Sequence, residues 1–199
     1  MKETSKEEYT KRLQTLEVGW KRFLDVQRPY RWNLQRLKLG FVLDVGCGLG
    51  RNLLNLGGCG VGVDHNRHSV DVACQRGLTA FTPEEFLASS YSVGEQFDSI
   101  LISHVAEHLT QQEILDVVEY YLPYLRKAGR VVFVTPQERG YRSDPTHVTF
   151  MDFRLLTSIA EEVGLTVERQ YSFPFPRILG HLFTYNEFVT ICKDERDRG

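Results

Sequence analysis

The stretch Val42-Leu43-Asp44-Val45-Gly46-Cys47-Gly48-Leu49-Gly50 constrains this chain more than any other. It starts as an apolar strand, sets an acid near the strand's end, and then alternates three glycines where a backbone must turn sharply and approach a ligand closely. Strand ends of this kind serve dinucleotides and sulfonium nucleosides alike, and spacing separates the two. A dinucleotide fingerprint needs a third glycine three residues after the second, so that the next helix packs close and its N-terminus meets a pyrophosphate. This chain has Arg51 at that position. Asp44 at the mouth of the loop would repel a pyrophosphate and attract ammonium and sulfonium groups. The loop therefore suits a cationic nucleoside without phosphate.

The remaining sequence alternates strand and helix signals. Lys6 to Val18 is helix-forming, and a second helical stretch follows Pro29 and ends near Gly40. Cys59 to Asp64 reads as a second strand ending in an acid, twenty residues beyond Asp44. At that separation a carboxylate reaches the ribose hydroxyls of a bound nucleoside; the alternative is a turn acid, although Asn66 is placed to cap the next helix. Leu78–Thr82, Phe97–Ser103 and Gly129–Pro136 read as further strands, and Pro83 opens a short helix. Gln137 to His147 is too rich in charge and turn residues to be core. Leu155, Leu156, Ile159, Ala160 and Val163 share one helical face stopped by Gly164, and strands near 165–172 and 184–192 close the chain.

This order predicts an α/β fold: a doubly wound, mostly parallel seven-stranded sheet with one antiparallel strand near the C-terminus. Ligands bind such sheets beyond the carboxyl ends of the strands, where Asp44, Asp64, Ser103, His104 and the 136–147 segment fall.

A length of 199 residues, 42% hydrophobic and 25% charged, predicts one domain over 1–199: a helical cover (1–40), the catalytic sheet (41–193) and a frayed tail (194–199). No apolar run approaches the ~18 residues that span a bilayer, and the Lys- and Glu-rich start lacks the marks of a secretory signal. A cytoplasmic protein without membrane insertion is expected. The net charge of -2 and pI near 6.3 argue against a broad nucleic-acid footprint. Cys47, Cys59, Cys74 and Cys192 have no C-x-x-C spacing and read as free thiols. Nothing in the sequence fixes an oligomeric state.

From about Arg28 to about Lys193 the chain resembles the class I S-adenosylmethionine-dependent methyltransferases, whose first motif reads much like Leu43 to Gly50. The resemblance implies a Rossmann-like fold and S-adenosylmethionine as cofactor. It places Asp44, Gly46, Cys47, Gly48 and Gly50 in the cofactor loop, Asp64 and His65 at the ribose, Ser103 and His104 along the pocket, and Thr82, Glu84 and Phe86 toward the adenine.

His104, Glu107 and His108 form an H-x-x-E-H cluster whose members share a face on a helical turn, and His147 is placed to join them. Imidazoles with a carboxylate suit a divalent transition metal that could hold and acidify a substrate hydroxyl. Without a metal, His147, then His108 and His104, are candidates for a general base; a structural role for His108 is the third alternative. Together with Asp144-Pro145-Thr146-His147, the cluster resembles the small-RNA 3′-terminal 2′-O-methyltransferases, whose run is E-x-x-E-H; here His104 replaces the first Glu. The expected reaction is methyl transfer to an oxygen, or less readily a nitrogen, of a small metabolite such as a sugar, lipid, quinone or natural-product intermediate. Two rivals stand beside it. One is a metal-dependent RNA 3′-end 2′-O-methyltransferase with a basic groove from Arg28, Arg31, Arg139 and Arg142; the other is a non-catalytic S-adenosylmethionine-binding regulator.

Overall fold

The structure, a computed structural model, describes residues 27–195. The expected helix at 6–18 and residues 196–199 of the expected tail lie outside them. Among the described residues seven strands form one sheet in the order β3-β2-β1-β4-β5-β7-β6. They are β1 (Val42–Val45), β2 (Gly60–Val63), β3 (Ala80–Phe81), β4 (Phe97–Ser103), β5 (Leu125–Pro136), β6 (Leu165–Phe173) and β7 (Glu187–Asp194). Pairings among β1 to β5 are parallel, and β7 runs antiparallel to both β5 and β6. It is thus the one antiparallel strand among them.

The central strands divide their side chains between two apolar layers with the period of two that pleating imposes. Leu43, Ile100, Ile102, Val131 and Phe133 join one cluster, while Val42, Leu101, Val132 and Val134 join the other. The first layer is covered by α5 (Gln111–Tyr121) and α7 (Phe153–Glu162) through Ile114, Val118, Leu156 and Ile159. The second is covered by α1 (Arg28–Arg36) and α2 (Arg51–Asn55) through Leu34 and Leu53. A sheet buried on both faces explains why its strands read as continuous apolar runs.

Helix starts are fixed by local chemistry. Asn66 caps α3 (Arg67–Gln75), accepting from the His68 and Ser69 amides. Capping boxes pair Thr82 with Glu85 at α4 (Pro83–Ala88) and Thr110 with Glu113 at α5. β3 has two residues instead of the expected five: Thr82 is taken up as the cap of α4, and Leu78 and Thr79 precede the strand.

The segment after β5 departs furthest from expectation. Gln137 is fully buried, and the next residues form the short helix α6 (Glu138–Arg142). Gln137 Nε2 donates to Ser172 Oγ and, at 2.9 Å, to the Glu187 carbonyl. Buried Asn186 donates to Gln137 Oε1 at 3.0 Å. A long polar side chain can be core when each of its polar atoms finds a partner. β7 also continues through Lys193 and buried Asp194, residues expected at or beyond the sheet's end.

Candidate active site

The loop after β1 turns through Gly46, Gly48 and Gly50 at φ of 74°, 53° and 77°, where side-chain-bearing residues are strained. Gly46 also permits a close approach, since a Cβ there would lie 2.2 Å from Val105 Cγ2. The loop therefore packs directly on the segment that follows β4. At Gly48 a Cβ would meet nothing within 4 Å, so this part of the loop faces open space.

Asp44 lies under the loop, 1% exposed. Asn52 donates to its Oδ1 at 3.4 Å, whereas Oδ2 is buried with no hydrogen-bond partner among the described residues. Burial, with a smaller push from Asp64 and against the pull of Asn52 and Arg51, raises its pKa to about 7. A buried acceptor left unsatisfied beside an open glycine cradle fits the ammonium or sulfonium end of S-adenosylmethionine. Asp64, at the end of β2, accepts the Gly48 amide and the Asn66 amide, both at 2.8 Å. The carboxylate thus ties the loop to the turn after β2 and keeps lone pairs for further donors. Cys47 is buried, and burial pushes its thiol well above the ordinary range.

The expected adenine contacts fare differently. Phe86 is fully buried, packed on Phe97, Tyr121 and Tyr124, and is core. Thr82 is engaged in its capping box, and Glu84 is exposed at the start of α4. His65 is also exposed, with Nδ1 3.7 Å from Asp64 Oδ1.

The second constellation forms where the segment after β4 meets the loop before α7. The amides of Val148 and Thr149 donate to the Glu107 carbonyl at 2.7 and 3.2 Å, drawing His147 beside His108. The two imidazoles meet edge to face with centroids 4.8 Å apart, and Tyr141 stacks on His147. His147 Nδ1 donates to the Tyr141 carbonyl at 2.7 Å, and His108 Nδ1 lies 3.3 Å from the Thr146 carbonyl. Each ring is oriented through Nδ1, leaving Nε2 as its basic nitrogen. Glu107 is buried; its Oε1 faces His104 Nδ1 at 3.2 Å, and its Oε2 is unpartnered among the described residues. One ligand atom from each of Glu107, His108 and His147 lies within 4.8 Å of the others.

His104 departs from its expected place as a base or metal ligand. Only Ala106–His108 form a 3₁₀ turn; His104 precedes it at φ 57°, its amide donating to the Val134 carbonyl. Its Nδ1 meets Glu107 and its Nε2 meets Glu187 Oε1 at 2.9 Å. Burial alone would lower its pKa, but the two carboxylates outweigh it and push the value up to about 10. With a carboxylate against each nitrogen, both ring nitrogens are engaged within the protein in this arrangement, and neither is turned to a metal or a substrate proton. Sequence reasoning missed Glu187, whose signal was a carboxylate just before the apolar pair Phe188-Val189, at the strand end on the ligand edge of the sheet.

The strand order, the glycine loop on β1 and the acids ending β1 and β2 define the class I S-adenosylmethionine-dependent methyltransferase fold. Similar solved structures include a methyltransferase of that kind from Archaeoglobus fulgidus, 19% identical over 86% of this chain and 98% of its own, with a TM-score of 0.65. The N-methyltransferase NodS from Bradyrhizobium japonicum, in complex with S-adenosyl-L-homocysteine, is 18% identical over 85% of this chain and 88% of its own, TM-score 0.64. Magnesium protoporphyrin IX methyltransferase from Synechocystis is 14% identical over 89% of each chain, TM-score 0.63. No curated protein matches. Residues 32–144 match the family model described as tellurite resistance protein TehB, and the chain belongs to that family. It is an S-adenosylmethionine-dependent methyltransferase. Among the described residues no helix is long and apolar enough to cross a membrane.

Proposed function

We propose that the protein methylates a hydroxyl oxygen of a small metabolite, with His147 as the base that takes the hydroxyl proton. The observation that supports this reading is the pairing of His147 and His108 beside Glu107, on a segment packed against the glycine loop. Bound S-adenosylmethionine supplies an electrophilic methyl group on its sulfonium. Asp44 Oδ2 and the backbone at Gly46, Gly48 and Gly50 would hold the cationic end of that cofactor, and Asp64 would accept hydrogen bonds from its ribose hydroxyls. His147 Nε2 would take the proton of the acceptor hydroxyl, and the Tyr141 carbonyl on Nδ1 would steady the ring through the change.

The unpartnered Glu107 Oε2 favours a second reading of the same cluster. Glu107, His108 and His147 would then hold a divalent cation, which lowers the hydroxyl's pKa in place of a protein base. The carbonyl bonds to each Nδ1 are those that orient imidazoles toward metals.

The test supplies methyl-labelled cofactor and a fractionated lysate to the wild type and His147→Ala, with and without chelator, and tellurite as a separate acceptor. Label in small-molecule or lipid fractions, indifferent to chelator and lost in His147→Ala, supports the base. Loss with chelator supports the cation. Label at RNA ends refutes the substrate class, and label retained by His147→Ala refutes the base.

A further inference from the structure

We propose that Glu187 is a positioning residue: through the His104 ring it holds the Glu107 carboxylate in place beside His108 and His147. The inference rests on the Glu107, His108 and His147 cluster being the acceptor site. Glu107 contributes an oxygen to the cluster and is buried, yet it hydrogen-bonds neither histidine of the cluster. Among the described residues its one side-chain partner is His104, and the opposite nitrogen of that ring is held by Glu187. The ring is therefore a strut between two carboxylates, one anchored to the sheet and one facing the site.

The anchored end is built with unusual redundancy. Glu187 opens β7 and pairs with Pro136 of β5 and Phe173 of β6. Its carbonyl accepts from buried Gln137, and the preceding residue, buried Asn186, accepts the Phe175 amide at 2.9 Å. Gln137 and Asn186 are also bonded to each other, so the backbone that carries the Glu187 carboxylate is fixed from several sides. The strut carries a cost of its own, because His104 sits at a left-handed φ that a β-carbon disfavours. Such a conformation persists when its surroundings over-determine it, and it concentrates where geometry serves a site. A histidine needed only to fill space would not require this backbone, two carboxylate partners and a strand 83 residues away.

The test reads imidazole nitrogen resonances in full-length protein labelled with ¹⁵N-histidine, comparing wild type with Glu187→Ala, Glu187→Gln and His104→Asn. Glutamine keeps an oxygen for His104 Nε2–H. Asparagine tolerates the left-handed backbone but is too short to bridge both acids. Glu187→Ala should remove the slowly exchanging His104 Nε2 proton and also shift the His108 and His147 Nε2 resonances, because Glu107 loses its fixed place. His104→Asn should shift the same two rings, giving the reading a second route should the alanine variant fold poorly, and Glu187→Gln should restore the wild-type pattern. His108 and His147 resonances unchanged in a folded Glu187→Ala or His104→Asn overturn the proposal and reduce Glu187 to a local partner of His104. This spectroscopic readout needs no acceptor, so a failure of the base in the labelled-cofactor assay is seen separately.

Discussion

If Asp44 meets the cationic end of the cofactor, binding must respond to the charge state of that carboxylate. In the free protein its pKa is raised to about 7, chiefly by burial. A cation placed against the carboxylate restores the value toward ~4, typical of aspartate. The ionised fraction of free Asp44 falls from about nine-tenths at pH 8 to about one-tenth at pH 6, so the dissociation constant should rise about tenfold, or about 1.4 kcal/mol. Between pH 6 and pH 5 it should rise by nearly another factor of ten. Calorimetric titration of S-adenosylmethionine at pH 8, 7, 6 and 5 measures this directly. Asp44→Asn is the control, since titration of the ligand itself is common to both proteins and cancels in their ratio. A ratio that stays constant across this range would refute the placement of Asp44 against a cation.

The same carboxylate should destabilise the ligand-free protein. A folded pKa above the unfolded one means that the folded state binds more protons between about pH 4 and 7, so stability falls as pH rises through that window and is flat above it. Asp44→Asn should therefore raise ligand-free stability at pH 8 by about 2–4 kcal/mol, an advantage that fades toward pH 4 in denaturant titrations. Phe86→Ala should cost about 3–5 kcal/mol of stability, with cofactor affinity in the still-folded protein within about twofold of wild type; a selective loss of affinity would return Phe86 to the adenine site. Gly48→Ala should lose only about 1–2 kcal/mol to backbone strain, because its Cβ enters open space, yet weaken cofactor binding at least tenfold by calorimetry. Gly62→Ala should lower stability in denaturant titrations and cofactor affinity by calorimetry together, since its Cβ would fall 2.5 Å from Sγ of Cys47, the buried loop residue between Gly46 and Gly48.

The parts of this molecule that were legible in its sequence are those governed by local chemistry. The glycine loop announces itself because left-handed turns need glycine, and Asn66 caps its helix within three residues of chain. The alternating strands and helices carried the sheet and its antiparallel member. The meeting of Glu107 and His108 with His147 was also legible, because both motifs follow neighbouring parallel strands. What could not be read was set across the fold. Gln137 looked like a loop residue because its partners, Ser172, Asn186 and Glu187, come from distant segments. Phe86 passed for a ligand contact because an aromatic one turn into a helix is core or pocket wall according to the helix's rotation. His104 seemed to share a face with Glu107 and His108, but its left-handed backbone puts it before the turn, and the acid opposite lies on another strand.

The place of β7 between β5 and β6 bears on how the chain matures as it is made. Synthesis runs from the N-terminus, so β1 to β5 can pair as a parallel sheet while β6, whose only strand neighbour among the described residues is β7, still waits for it. The strand that arrives last among these is inserted into the interior of the sheet instead of being added at its rim, a non-local pairing of the kind that slows folding. Glu187 arrives with it. Glycine loop, histidines and Glu107 can all be gathered earlier, but the bridge through His104 closes only when β7 docks. If the Glu107, His108 and His147 cluster is the acceptor site and Glu187 positions it, completion of the sheet and completion of that site are one event, and a nascent chain stopped short of β7 carries the glycine loop without the closed bridge.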